Sequence, residues 1–354
     1  MSNLETRPVR VRQVSAYAEL SRQIRDAGLL RRRYTYYWGW AIGLVAAFFA
    51  CWTAVLALGN TWCQLLVAVL LGVVLTQFGF LGHDAAHRQI FVSSRWNEWA
   101  ARVLSGAFAG LSYGWWSHKH NRHHSGPNQE NRDPDIAPGP IAMTPAVARA
   151  RTGGSAWFTR HQGHLFFPLL LLEGANLHVS GVRELLSNRA LPHRRLECAI
   201  ILTRFVLYLG VLLSVLPPGK AAAFLAVQLG VFGLLLGASF APNHKGMPIV
   251  PRDTRIDFLQ RQVLMSRNVH GGLVTDIAMG GLNYQIEHHL FPSMPRPNLR
   301  RARPVVRAFC RSRQVAYTET SLIGSYRIVV KYLNSVGRPD RDPFACPLVR
   351  QYRD

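Results

Sequence analysis

Acidic residues are scarce. Only 19 Asp and Glu stand against 41 Lys and Arg among 354 residues, a formal net charge of +22. Cysteine is rarer still. Cys51, Cys63, Cys198, Cys310 and Cys346 form no CxxC pair, which excludes a disulfide framework and a cysteine-ligated zinc site. No cleaved leader is expected, because the first apolar run begins only near Tyr36, after an Arg-rich lead, and runs too long for a signal h-region. Charge is also missing from the long apolar runs. A histidine-lined metal transporter would need ionisable groups inside its spans, and these runs hold almost none.

Apolar residues nevertheless make up 49% of the chain. So basic a protein invites a nucleic-acid reading, but the apolar residues fall in blocks too long for a small basic domain, so no nucleic-acid partner is expected. Apolar blocks with basic residues between them fit membrane spans whose flanks face the cytoplasmic leaflet. Residues 36–58 and 62–81 make one hairpin of spans, and 199–216 with 221–240 a second. At about 1.5 Å per residue each is long enough, or nearly so, for a hydrocarbon core of about 30 Å. Residues 101–116 and 163–179 are apolar but interrupted, the second by Glu173, and are expected not to span. The turns at 59–61 and 217–220 carry one Lys between them, whereas the flanking segments carry nearly all the other cations. The positive-inside rule therefore places both termini and the 82–198 segment in the cytoplasm. The expected fold is all-α: four transmembrane helices in two hairpins under a cytoplasmic helical cap, in the plasma (inner) membrane. Residues 1–35, with eight Arg against three acidic residues, form a basic arm, partly an amphipathic helix at 14–30 on the membrane surface. Residues 36–320 form the main domain and 321–354 a cytoplasmic tail.

Fourteen histidines are present, and they cluster. His83 and His87 form HDAAH just past the second span. His120, His123 and His124 form HNRHH. His288 and His289 close QIEHH, and His244 follows the fourth span. Histidines at i and i+4, or i and i+3, share a helix face, so HDAAH offers two ligands to one ion and HNRHH enough to bridge two. Gln285 opens the third box in the place of a histidine. Imidazole suits Zn, Cu, Fe and Ni. A single catalytic zinc takes about three protein ligands, so eight histidines suit a pair of irons better. Asp84, Glu287, Asp133, Asp135 and Asp276 lie near the boxes as candidates to orient the imidazoles.

These boxes, HDAAH (83–87), HNRHH (120–124) and QIEHH (285–289), resemble those of the membrane fatty-acid desaturases. NRDPDI (131–136), FAPNHKGMP (240–248) and GGLNYQIEHHLFPSMPR (280–296) extend the likeness to bacterial acyl-CoA and acyl-lipid desaturases, over about residues 35–320. The Gln of the third box is similar to the form in front-end and linoleoyl-CoA-type members. The resemblance implies two iron ions held by His83, His87, His120, His123, His124, His244, His288 and His289. It implies that Gln285 bonds a ligand or a metal-bound water, and that Asn243 holds such a water. Asp84 and Glu287 are expected in support. Six histidines, 118, 161, 164, 178, 193 and 270, match no box; His178 and His270 are the nearest candidates to touch the site.

The implied activity is O2-dependent desaturation of a long-chain acyl-CoA or acyl-lipid. The alternative is a hydroxylase or ketolase of the same superfamily acting on carotenoid, sphingolipid or alkane; LFPSMPR after the third box favours the first. No HPGG-type haem motif of a fused cytochrome occurs, so electrons are expected from a separate donor, a ferredoxin or a flavin and iron–sulfur reductase fed by NAD(P)H. Lys119, Arg122 and Arg132 are candidates to grip a substrate head group. Trp115, Trp116, Tyr113, Phe108 and Phe80 are candidates for the acyl channel or for an interfacial belt.

Overall fold

The computed structural model describes residues 15–338. Fourteen helices dominate it: α1 (Ala16–Asp26), α2 (Tyr34–Leu58), α3 (Gln64–Ala86), α4 (Ser94–Arg102), α5 (Tyr113–Ser125), α6 (Pro145–Arg149), α7 (Gly153–Ser187), α8 (Arg194–Val215), α9 (Pro218–His244), α10 (Phe258–Leu264), α11 (Leu273–Ala278), α12 (Gln285–Leu290), α13 (Arg296–Ser312) and α14 (Leu322–Val336). One pair of three-residue parallel strands departs from the all-α expectation: β1 (Asn268–His270) beside β2 (Glu319–Ser321).

Where an apolar segment meets lipid, only a helix satisfies every backbone group internally. α2 shows the consequence. It carries no charge, buries only Tyr37, Leu44, Cys51 and Val55, and turns Trp38, Ile42, Phe49 and Leu56 outward. α3 is the central helix, with most of its length buried. It packs on α9 at Gly72, where an added Cβ would lie 2.9 Å from Val231 Cβ. The two hairpin turns sit side by side, since Lys220 Nζ donates to Asn60 O at 3.1 Å.

Five helices are long and apolar enough to cross a membrane, one more than the sequence suggests. The fifth is α7, a continuous 35-residue helix through the segment that Glu173 made doubtful. Its backbone touches that of α9: a Cβ on Gly174 would lie 2.3 Å from Leu229 O, and one on Gly233 would lie 2.3 Å from Gly174 N. Glu173 lines a cavity beside that contact and accepts a hydrogen bond from Asn176.

Two terminal segments also differ from expectation. The expected helix at 14–30 is found as α1; residue 14 lies outside the described residues. Its apolar face is not free to lie on a membrane, because Leu20 and Ile24 are fully buried with Leu259, Leu299, Ala302 and Val306 of α10 and α13. Residues expected as a tail form α14, which packs on α7: Gln162 Nε2 donates to Leu333 O and Gly163 N to Asn334 Oδ1, both at 2.9 Å. Residues 339–354 lie outside the described residues.

Candidate metal centre

Four helix ends converge. α3 ends in the first box, with His83 in its last turn and His87 as C-cap. A π-helix, Val103–Ala109, then packs on α3 and turns at Gly110, whose φ of 76° suits glycine. α5 follows. Its N-cap Ser112 accepts from Trp115 N and donates to the buried Glu197 carboxylate at 2.7 Å. That anchorage aims the helix carrying His120, His123 and His124 at the end of α3. α9 ends at His244, and α12 brings Gln285, His288 and His289.

The seven box histidines and His244 meet there, in two groups. His83, His87, His120, His124 and His288 each offer a ring nitrogen within 4.8 Å of the others; His123, His244 and His289 do the same. His87 Nε2 lies 2.9 Å from His120 Nε2, which lies 3.0 Å from His124 Nε2. Nε2 of His83, His288 and His289 are buried with no hydrogen-bond partner. Buried polar atoms are normally paired, so orphaned ring nitrogens converging on one another fit a cation between them. Burial, reinforced by neighbouring histidines, holds His120, His124, His288 and His289 well below the usual imidazole pKa and pushes His87 down to about 3. Neutral imidazole is the form that binds metal.

The outer nitrogens are also fixed. His123 Nδ1 lies 3.0 Å from both oxygens of Asp133, whose carboxylate accepts in addition from Asn128 N and Asp135 N. Burial opposes charge on His123, but Asp133 and Asp135 overcome it and raise its pKa. His289 Nδ1 donates to Gln262 Oε1 at 3.0 Å, and His244 Nδ1 to Met265 O at 2.9 Å. Such partners set which nitrogen faces the metal. No spacing pattern in the sequence marked Gln262. Asp133→Asn should therefore cost about 10–100-fold in metal affinity or activity, read as iron per chain and turnover; wild-type values in both would remove Asp133 from this role.

The other expected residues divide. Gln285 points its Nε2 at His244 Nε2, 2.9 Å away, and accepts from Asn243 Nδ2 at 3.2 Å. Asn243 Oδ1 is buried without a partner. Asp84 lies 3.6 Å from His83 Nδ1 and pairs with the buried Arg296 at 2.7 Å, a cation the sequence reading did not name. Glu287 bonds no histidine. It accepts from Asn268 Nδ2 and Tyr317 Oη, at 2.8 and 2.6 Å, and so ties α12 to β1; burial pushes its pKa up to about 7. Asp276 accepts from Asn283, away from the boxes. His178 faces Gly174 O and Ala109 O, and the exposed His270 faces Arg303, so neither joins the site.

A cavity of about 610 Å³ opens onto the histidines. Phe80, Trp115, Trp116, Leu170 and Phe240 supply apolar wall beside His83 and His120, and Trp116 stacks on His120 at 4.3 Å. Phe108 instead stacks on Phe78, and Tyr113 lies under the Arg102 guanidinium. Lys119 lines the cavity and pairs with Asp135 at 2.9 Å. Arg122 and Arg132 are exposed and do not line it.

Known proteins resemble the chain along most of its length. The family model described as fatty acid desaturase matches residues 60–321. The acyl-lipid (9-3)-desaturase of Physcomitrium patens is 32% identical over 300 residues, 82% of this chain and 57% of that protein. The Delta(8)-fatty-acid desaturase of Helianthus annuus is 29% identical, over 83% of this chain and 67% of that protein. Fatty acid desaturase 3 of Bos taurus is 28% identical, over 93% of this chain and 74% of that protein. The chain thus spans little more than half the length of the first of these relatives. The matched region carries all three histidine boxes and the helix that ends in His244, and on that footing the chain is a member of the fatty acid desaturase family.

Proposed function

We propose that this membrane protein introduces a double bond into a long-chain fatty acyl group, carried as acyl-CoA or acyl-lipid, at a pair of iron ions, with O2 as oxidant and electrons from a separate donor protein. The observation that carries this is the pairing of a five-histidine and a three-histidine group at the end of an apolar cavity. His83, His87, His120, His124 and His288 would hold one ion, and His123, His244 and His289 the other. When bound, the irons supply the oxidising power to break an unactivated C–H bond, which no side chain has. The chain's own residues do the rest. Phe80, Leu170 and Phe240 bury the acyl chain and exclude water, so that one C–C bond is presented to the histidine end of the cavity. Trp116 holds the His120 ring against rotation. Asp133, Gln262 and the Met265 carbonyl each keep one imidazole turned inward. Gln285 and Asn243 complete the three-histidine side and are placed to hold a water there.

Lys119, beside Lys245 on the cavity wall, is the basic residue best placed to meet the carrier end of the substrate. Arg122 and Arg132 are left to attract anionic lipid. The basic segments around the site and the nearly uncharged runs at 36–58, 62–81, 199–216 and 221–240 support an inner-membrane protein with both termini and the centre in the cytoplasm, α7 packing on α9 without making a fifth crossing.

Expression in a host lacking unsaturated fatty acids, followed by gas chromatography and mass spectrometry of fatty-acid esters, tests the function. A product short of two hydrogens is expected. A product that gains oxygen instead would establish the hydroxylase or ketolase reading. The donor requirement has its own test. Purified protein given acyl substrate and O2 alone should form no product, and added reductant should start turnover; product without reductant would remove the donor from the scheme.

A further inference from the structure

Arg267 is 2% exposed and is the largest fully buried side chain among the described residues. No described carboxylate pairs with it, and burial pushes its pKa down to about 10. Arginine is almost never fully buried unless paired, so its partners require an explanation, and they lie at the end of α9.

The last four carbonyls of an α-helix have no partner inside it. In α9, Ala241 O receives Lys245 N at 3.1 Å, and His244 O receives Met247 N and Asn128 Nδ2, both at 3.1 Å. Arg267 supplies the remainder. Its backbone N donates to Asn243 O at 2.8 Å, and its guanidinium donates to Pro242 O and, at 3.0 Å, to Lys245 O. Cationic side chains at a helix C-terminus also meet the negative end of its dipole. Two residues earlier in the chain, Met265 O fixes His244 Nδ1. Residues 265–267 therefore grip both the last turn of α9 and the ring that it carries. This turn needs outside help because Pro242 has no N–H to offer Ala238 O, a gap that the Tyr326 hydroxyl fills at 3.0 Å.

We infer that Arg267 is a positioning residue for the three-histidine side of the centre, holding the end of α9 so that His244 Nε2 stays 3.3 Å from His123 Nε2. The inference rests on the proposed metal centre. The five-histidine side takes nothing from α9, since its members come from α3, α5 and α12. Loss of the guanidinium leaves the Pro242 and Lys245 carbonyls without a donor, and the turn that aims His244 shifts to find others. The effect falls on one metal position.

The experiment compares Arg267→Met, Arg267→Lys, His244→Ala and the Arg267→Met/His244→Ala double variant, each purified from membranes and assayed for iron per chain and turnover. Arg267→Met is expected to hold about one iron where the parent holds two, with turnover down roughly 10–100-fold. Arg267→Lys, which keeps the charge and a single donor group, should fall between. In the His244→Ala background Arg267→Met should add no further loss, the signature of residues acting through one another. Three results would overturn the inference: two irons and parental turnover in Arg267→Met; equal loss of both irons in Arg267→Met and Arg267→Lys, which marks a merely structural residue; or losses that add to those of His244→Ala. Should Arg267→Met not reach the membrane, Arg267→Lys and its combination with His244→Ala decide by the same criteria. A parent protein that takes up no iron refutes the metal centre itself, a result distinct from any of these.

Discussion

Replacing His124 by alanine will lower turnover by more than about 100-fold, since loss of a ligand exceeds the 10–100-fold typical of an outer partner. Iron content will fall while the protein still reaches the membrane. His124 belongs to the five-histidine group, 3.0 Å from His120 Nε2 and stacked on His289 at 4.2 Å. It is surrounded by other imidazoles, so alanine opens a small polar gap and leaves α5 anchored through Ser112 and Glu197. The matching control is His118→Ala. His118 lies on the same helix but is exposed and belongs to neither group. Parental iron and turnover are expected there. Equal behaviour of the two variants would defeat the ligand assignment, whichever way they behaved.

Gly233→Leu will cost about 3 kcal/mol or more, the upper end for overpacking, because the obstacle is backbone. A Cβ at Gly233 would lie 2.3 Å from Gly174 N and 2.5 Å from Leu170 O, neither of which can rotate away. α7 must then leave α9, and the cavity walls that the two helices share, Leu170 on one and Phe240 on the other, separate with it. Yield from detergent, thermal midpoint and turnover should all drop. Gly210→Leu on α8 is the control, since nothing lies within 4 Å of a Cβ there. A Gly233→Leu protein as stable and active as Gly210→Leu would show that the α7–α9 contact does not shape the cavity. Small residues that let helix backbones touch are a recurrent device of membrane bundles.

Much of the site could be read in advance because helix geometry is local. Successive residues are about 100° apart around a helix. His120 and His124 therefore share a face and enter the five-histidine group, whereas His123 is turned toward the three-histidine group. His288 and His289 are neighbours in sequence and so enter different groups. Glu287 lies near the boxes and was expected to support them, but its orientation depends on Asn268 and Tyr317, which approach from distant parts of the chain. Gln262 and Arg267 carried no pattern at all, and Arg296 only closes the LFPSMPR stretch; each gains its role through what folding sets against it. Glu173 interrupts the apolar run of α7, and its place on the cavity wall depends on residues distant in the chain.

The amino-acid order alone determined that long apolar stretches must become helices, that basic flanks border them, and that imidazoles recur at helical spacing. Those properties depend on neighbours a few positions away. Tertiary structure decided which histidines gather into each group, which acids and carbonyls steady each ring, and where the cavity runs. Those outcomes depend on pairs such as His123 and His244, or Gly174 and Gly233, which are far apart in the chain and meet only when the helices pack.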